Sequence, residues 1–295
     1  MTSAFIAKHW FPANVGKAAV ERAWLWFTPV WGAACAAVMV TRLAEDKMGD
    51  AGLLAFGAAN ALGAAVVAPW LAVQRLPPSE RADAALTAVA MVVGCVVLSF
   101  GLNFFQTPFF FDVLHMRYGF QVSDRFRIDR NPMFLYLLTI PYFATYTALC
   151  CGAFRVIAAA LPVATTAPPL RWAAIAMVPF ATAFLETALN ANPFSDKIFC
   201  YDDLQHALGF GTACYGISFV LALPVWLALG GAPEGHDDRG RRGGVVEVAA
   251  LAAVRMFLVV LLDAAALGLI RQHVAGYFTT IIDGSGPFGG CLDRV

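Results

Sequence analysis

The chain has 295 residues, of which 60% are hydrophobic and 14% charged, with a mean hydropathy of +0.68. These proportions lie far from those of a soluble domain and read as a polytopic membrane protein. Lysine plus arginine and aspartate plus glutamate each number 20, a balance that argues against a nucleic-acid partner or a strongly anionic surface.

In chain order, residues 1–22 form an N-terminal segment without the apolar core and small-residue flank of a cleavable signal, so the first span is expected to stay in the mature protein. Apolar runs follow near 23–41, 51–73, 84–107, 133–151, 172–190, 204–229 and 245–270. Each approaches the roughly 20 residues that cross about 30 Å of hydrocarbon. The expectation is one integral-membrane domain over 1–295: an all-α bundle of about seven transmembrane helices over 23–270, then a C-terminal tail over 271–295. Segments 42–50, 75–81, 167–169 and 230–244 carry loop residues. Val156 to Ala160 either prolong the fourth helix up to Pro162 or belong to a connection, which leaves six or eight spans as alternatives. Basic residues divide almost evenly between the two sides, so no orientation follows. No internal repeat is visible, which weakens an inverted-repeat transporter reading.

Aromatic clusters at Trp24, Trp26 and Phe27, and at Phe104, Phe105 and Phe109 to Phe111, read as interfacial belts. The third span ends with Asn103, Gln106 and Thr107 at i, i+3 and i+4, a polar face that either glues helices together or lines a cavity. Beyond Pro108, a helix would align Asp112, His115 and Tyr118. Segment 123–132 is the most charged part of the chain and reads as a solvated, salt-bridged loop. In the fourth span Thr139, Tyr142 and Tyr146 share a side.

The fifth span contains Glu186. An acid at a helix centre costs about 2.5–3.5 kcal/mol on insertion scales, so it demands a partner, a proton, a water-filled cavity or a place near the span's end. Thr182 and Asn190 lie one turn away on either side, and Asn192 follows. The last span carries Arg255 and Asp263, and a Glu186–Arg255 ion pair is the structural alternative to catalysis. Histidines 9, 115, 206, 236 and 273 are too scattered for clustered metal ligands, and no nucleotide-binding motif is present. The lysines, at 8, 17, 47 and 197, lie outside the span centres, which excludes a Schiff base in the last helix. The seven cysteines imply neither a zinc site nor a disulfide framework. A cofactor-free reaction, or no reaction, remains.

Asn103-Phe-Phe-Gln-Thr-Pro-Phe-Phe-Phe-Asp-Val-Leu114, with Tyr118 and Phe120 beyond it, resembles a stretch of the cycloeucalenol cycloisomerases, the cyclopropyl sterol isomerases. Phe27-Thr-Pro-Val-Trp31, Pro132 followed by Leu138, Thr139 and Tyr146, Phe184-Leu-Glu-Thr187 with Ala191 and Asn192, and Leu262-Asp263 extend the similarity in the same order. Asp112 departs from the family pattern, which carries lysine there, and segment 193–203 is longer. The resemblance implies opening of the 9β,19-cyclopropane ring of a sterol such as cycloeucalenol to the Δ8 sterol obtusifoliol, without a cofactor. It implies a sterol substrate held within the bilayer, in an endoplasmic-reticulum membrane. The reaction needs a proton delivered to carbon 19 and another removed from carbon 8. Glu186 is the expected centre of the proton chemistry, with Asp263 or a carboxylate–water pair as second proton carrier, and Asn103, Thr107, Tyr118, Thr139, Tyr146 and Asn192 are the expected substrate contacts. Two other classes stay open: a sterol-binding or transfer protein without chemistry, and a proton-coupled transporter using Glu186, Arg255 and Asp263.

Overall fold

The computed structural model describes residues 2–163, 165–192, 195, 197–230 and 244–278, leaving aside the side chains of 45, 46 and 275–278. It is an all-α bundle with, among the described residues, 7 helices long and apolar enough to span a membrane. A short helix α1 (Ser3–Trp10) precedes the first span, α2 (Val15–Val40), and α3 (Leu43–Asp46) follows it. The second span is composite, with α4 (Asp50–Leu62) continuing through a π-turn (Gly63–Val67) into α5 (Ala68–Gln74). Then come α6 (Pro78–Asp112), β1 (Met116–Tyr118), β2 (Arg127–Ile128), β3 (Asn131–Pro132), α7 (Met133–Ala160) and α8 (Pro168–Asn190). After β4 (Phe199–Tyr201), α9 (Leu204–His206) passes through a second π-turn (Ala207–Gly211) into α10 (Thr212–Ala228), and α11 (Val245–Phe278) is last.

Several boundaries differ from the sequence expectation for physical reasons. The first span begins at Val15 rather than near 23, because Lys17 and Glu21 are buried inside the bundle instead of lying at its edge. Glu21 pairs with Arg155 of α7, whose Nε also donates to the Trp10 carbonyl at 2.9 Å. Lys17 Nζ donates to the carbonyls of Trp226 and Leu227, each at 2.6 Å, and so caps the last turn of α10. These bonds tie α1, α2, α7 and α10 together at one end of the bundle. Val156 to Ala160 belong to α7, which stops before Pro162. Pro108 does not end its helix: α6 runs on to Asp112, as membrane helices allow where neighbours satisfy the freed carbonyl.

Helix contacts depend on small residues and on carbonyls left free by irregular turns. The π-turn in the second span exposes the Ala64 carbonyl, which accepts the Trp24 indole N–H at 2.9 Å. At Gly57 an added Cβ would sit 2.7 Å from the Phe134 carbonyl, so α4 and α7 cross backbone to backbone. The aromatic clusters divide between lipid and core. Trp26 is 79% exposed whereas Trp24 is 2% exposed, and Phe104 and Phe105 face outward whereas Phe109 is buried. Among the described residues five cysteines are free and buried. Cys200 is disulfide-bonded, contrary to the expectation drawn from spacing.

At the end of the bundle opposite Lys17, two small sheets form a cap. β1 pairs antiparallel with β4, Met116 opposite Tyr201, and the Arg117–Asp202 ion pair at 2.8 Å reinforces them. β2 and β3 form a tight hairpin, Ile128 opposite Asn131, whose two turn residues Asp129 and Arg130 both have positive φ, 44° and 59°. The charged segment is therefore not simply solvated. Arg127 folds back to donate to the carbonyls of Phe120, Val122 and Arg130, and Ser123 N–H donates to Asp50 at the start of α4 at 2.9 Å.

Candidate functional site

Beneath this cap lies a cavity of about 200 Å³. Its walls are the ends of α2, α4, α6, α7 and α8 nearest the cap, with α3, β1, β3, β4 and one side chain of α10. Most of the wall is apolar, including Leu53, Phe56, Phe110, Phe134 and Leu138. Glu186 is the one acidic side chain among the described residues that line it, and no lysine, arginine or histidine joins it there.

Glu186 sits one turn from the end of α8, half-buried, with its side chain on the cavity wall beneath the cap. Oε2 is buried with no hydrogen-bond partner. Tyr146 of α7 and Tyr215 of α10 present their hydroxyls to the carboxyl. Tyr118, Tyr142 and Tyr201 also lie close enough to feel its charge, so five of the chain's 7 tyrosines surround one acid. Burial first, and the Glu186 charge after it, pushes the Tyr118 phenol well above its ordinary range. Tyr201 is raised likewise, by burial, then by Tyr118 and Glu186. Both phenols outside the spans therefore keep their protons.

Glu186 and Arg255 do not pair. Arg255 is exposed on the outer face of α11 and makes no ion pair among the described residues. Asp263 is fully buried but does not line the cavity. Its Oδ2 accepts from Gln106 Nε2 at 2.9 Å and its Oδ1 from Ser218 Oγ at 2.6 Å. Because Gln106 lines the cavity, Asp263 stands behind it and reaches the cavity only through that amide.

The polar face of α6 does reach the cavity, with Asn103, Gln106 and Thr107 all on its wall, joined by Thr139 of α7 and Tyr118 of β1. Tyr146 stands behind the wall, against Glu186. Asn192 is elsewhere: it lies beyond α8 and donates to the Leu189 carbonyl at 2.6 Å, dressing the end of the helix. The alignment of Asp112, His115 and Tyr118 does not form, because α6 stops at Asp112 and His115 adopts φ 53°. Asp112 instead holds Arg130 at 2.8 Å and Arg271 at 2.5 Å. Side chains that sequence reasoning did not name as contacts also line the site, chiefly Asn131, Asn190 and Tyr215. Asn190 accepts from the Tyr142 hydroxyl at 3.3 Å. The concentration of tyrosines near the cap ends of the spans was the available signal for Tyr215; Asn131 sat unremarked in a charged run.

An apolar chamber with one carboxyl among the described residues of its wall, set among tyrosine hydroxyls and aromatic faces, can give and take a proton. The aromatic faces can also steady positive charge that forms nearby. Comparison with protein-family models, with curated proteins and with solved structures yields no match to this chain.

Proposed function

We propose that the protein is a membrane-embedded, cofactor-free isomerase that opens the 9β,19-cyclopropane ring of a cycloeucalenol-type sterol, in an endoplasmic-reticulum membrane. The observation that carries this reading is Glu186, the one acid among the described residues on the wall of an apolar, aromatic cavity. The substrate class rests on the residue resemblance described above. In the proposed reaction the Glu186 carboxyl gives its proton to carbon 19 as the carbon 9–carbon 19 bond breaks. The bond's electron pair forms the new C–H bond, and positive charge develops at carbon 9. Loss of the proton on carbon 8 then leaves its electron pair as the Δ8 double bond. Asp263 reaches the cavity only through Gln106, so the carboxylate that Glu186 has just become is the nearest base for that second proton. Atoms balance, and no electron acceptor is required.

The cavity is smaller than the roughly 300–1,000 Å³ of pockets that enclose drug-sized ligands. It accordingly suits the ring end of the sterol, with the alkyl side chain left in lipid. Protein equilibrated in deuterated water and held in excess over cycloeucalenol tests the reading. The expected product is a Δ8 sterol bearing one deuterium in the carbon 19 methyl group. Recovery of unchanged, unlabelled sterol would mean that the cavity binds without chemistry.

A further inference from the structure

The hydrogen bonds of the cavity wall form a chain whose direction is fixed from one end. The Ser99 carbonyl can only accept, so the Asn103 group that meets it at 2.8 Å is the amide nitrogen, Nδ2. The same nitrogen donates to Thr139 Oγ1 at 2.6 Å. The Asn103 oxygen must then face the other way, where it meets Asn131 across 3.1 Å and can only accept. Asn131 therefore turns its nitrogen toward Asn103 and leaves its own Oδ1 as an acceptor. That oxygen is buried and has no partner, in a residue that is 3% exposed and lines the cavity.

The hydroxyls in this neighbourhood donate to backbone carbonyls, that of Tyr136 included although its side chain also touches Asn131 and Thr107. Thr107 donates to the Asn103 carbonyl, Thr139 to the Tyr136 carbonyl at 3.1 Å, and Tyr136 to the Ile128 carbonyl at 3.3 Å. The β2–β3 hairpin, braced by Arg127, keeps Asn131 from turning away. A buried acceptor without a donor is costly, and a ligand that supplies one removes that cost.

We infer that Asn131 Oδ1 is a hydroxyl-reading subsite: the cavity takes a lipid alcohol, which donates to Asn131, in preference to the matching ketone or ether, which cannot. This inference rests on the sterol reading for its ligand class but not for its chemistry. Within that reading the donor is the sterol 3-hydroxyl, so free sterols are substrates and 3-blocked sterols are not.

The test is equilibrium binding to the purified full-length protein of cycloeucalenol, its 3-ketone and its 3-methyl ether, each competing against tritiated cycloeucalenol. The wild-type protein is expected to favour the alcohol by roughly ten-fold or more over both analogues, the range a buried acceptor left unpaired supports. In Asn131→Leu the preference is expected to fall to near parity. Equal binding of alcohol and ether by the wild-type protein, which needs no variant, overturns the inference, as does an undiminished preference in a folded Asn131→Leu protein or a failure to bind any of the three. Preference for the alcohol without turnover would overturn the isomerase reading while leaving the subsite standing. Turnover without the preference would do the reverse.

Discussion

Gln106 and Asp263 are joined by a 2.9 Å hydrogen bond that crosses from α6 to α11, and Ser218 of α10 bridges the pair, accepting from Gln106 Nε2 at 2.7 Å and donating to Asp263 at 2.6 Å. The two donor positions of the Gln106 amide are thereby taken up, which orients it at the cavity wall. Asp263 is on this account a positioning residue and not a proton carrier. Asp263→Ala should destabilise the bundle by roughly 1–2 kcal/mol, the upper part of the range for interhelical hydrogen bonds in membranes. It should slow single-turnover product formation less than ten-fold without moving the pH profile. A loss as deep as that of a Glu186 variant would place Asp263 back among the reacting groups.

Tyr146 and Tyr215 bring hydroxyls to Glu186 from two different helices. In the proposed reaction each hydroxyl would orient the carboxyl and balance the charge it gains when its proton leaves. Tyr146→Phe and Tyr215→Phe should each lower the single-turnover rate about ten-fold, in keeping with about 1.4 kcal/mol for one hydrogen bond, with sterol affinity nearly unchanged. A wild-type rate in the double variant would show that the phenols only fill space.

At the other end of the bundle, the Glu21–Arg155 pair is buried, with Glu21 0% exposed. Removing one member leaves an unpaired charge inside the protein, a change that costs about 3–5 kcal/mol. Glu21→Ala should lower the thermal midpoint in detergent sharply, whereas the fraction that remains folded should bind sterol as the wild type does, because the cavity lies under the opposite end. Weakened binding in the folded fraction would reveal coupling along the helices.

His115 stands in the cap with φ 53° and a buried Nε2 that has no partner. Burial holds its imidazole below the ordinary 6.5, with Asp202 opposing that shift, His206 and Arg117 adding to it and Asp112 opposing. A histidine that resists its proton when folded, but takes it when unfolded, makes stability fall as pH drops from 6.5 toward the lower folded value. Above 6.5 the effect is absent, since neither state binds the proton. His115→Asn, which also tolerates the left-handed backbone, should flatten this part of the stability profile. Thermal denaturation from pH 7.5 to 5 checks it, and an unchanged slope in the variant would count against His115 as the cause.

Much of the architecture was legible from run length alone, since seven apolar stretches near 20 residues have few other uses in water. The polar face of Asn103, Gln106 and Thr107 was legible because helical spacing is rigid. Lys17 and Glu21 misled the first boundary: an acid neutralised by Arg155 and a lysine that caps a neighbouring helix, both inside the bundle, look in sequence like residues outside it. Asn131 was hidden for a related reason. Its neighbours Asp129 and Arg130 are turn residues facing outward, and nothing local says that the next side chain points inward. Asp263 was legible as an anomaly but not in its role, because Gln106, which separates it from the cavity, is more than 150 positions away in the chain, at a sequence distance of 157.

The central claim is that Glu186 moves the proton, and single-turnover conversion of cycloeucalenol by Glu186→Gln in lipid vesicles tests it most directly. The side chain keeps its shape but loses its transferable proton. The account predicts a fall in rate of about 10²–10⁴-fold, the scale of general acid–base catalysis, with sterol binding and thermal stability retained. Conversion at the wild-type rate by the folded variant would contradict it.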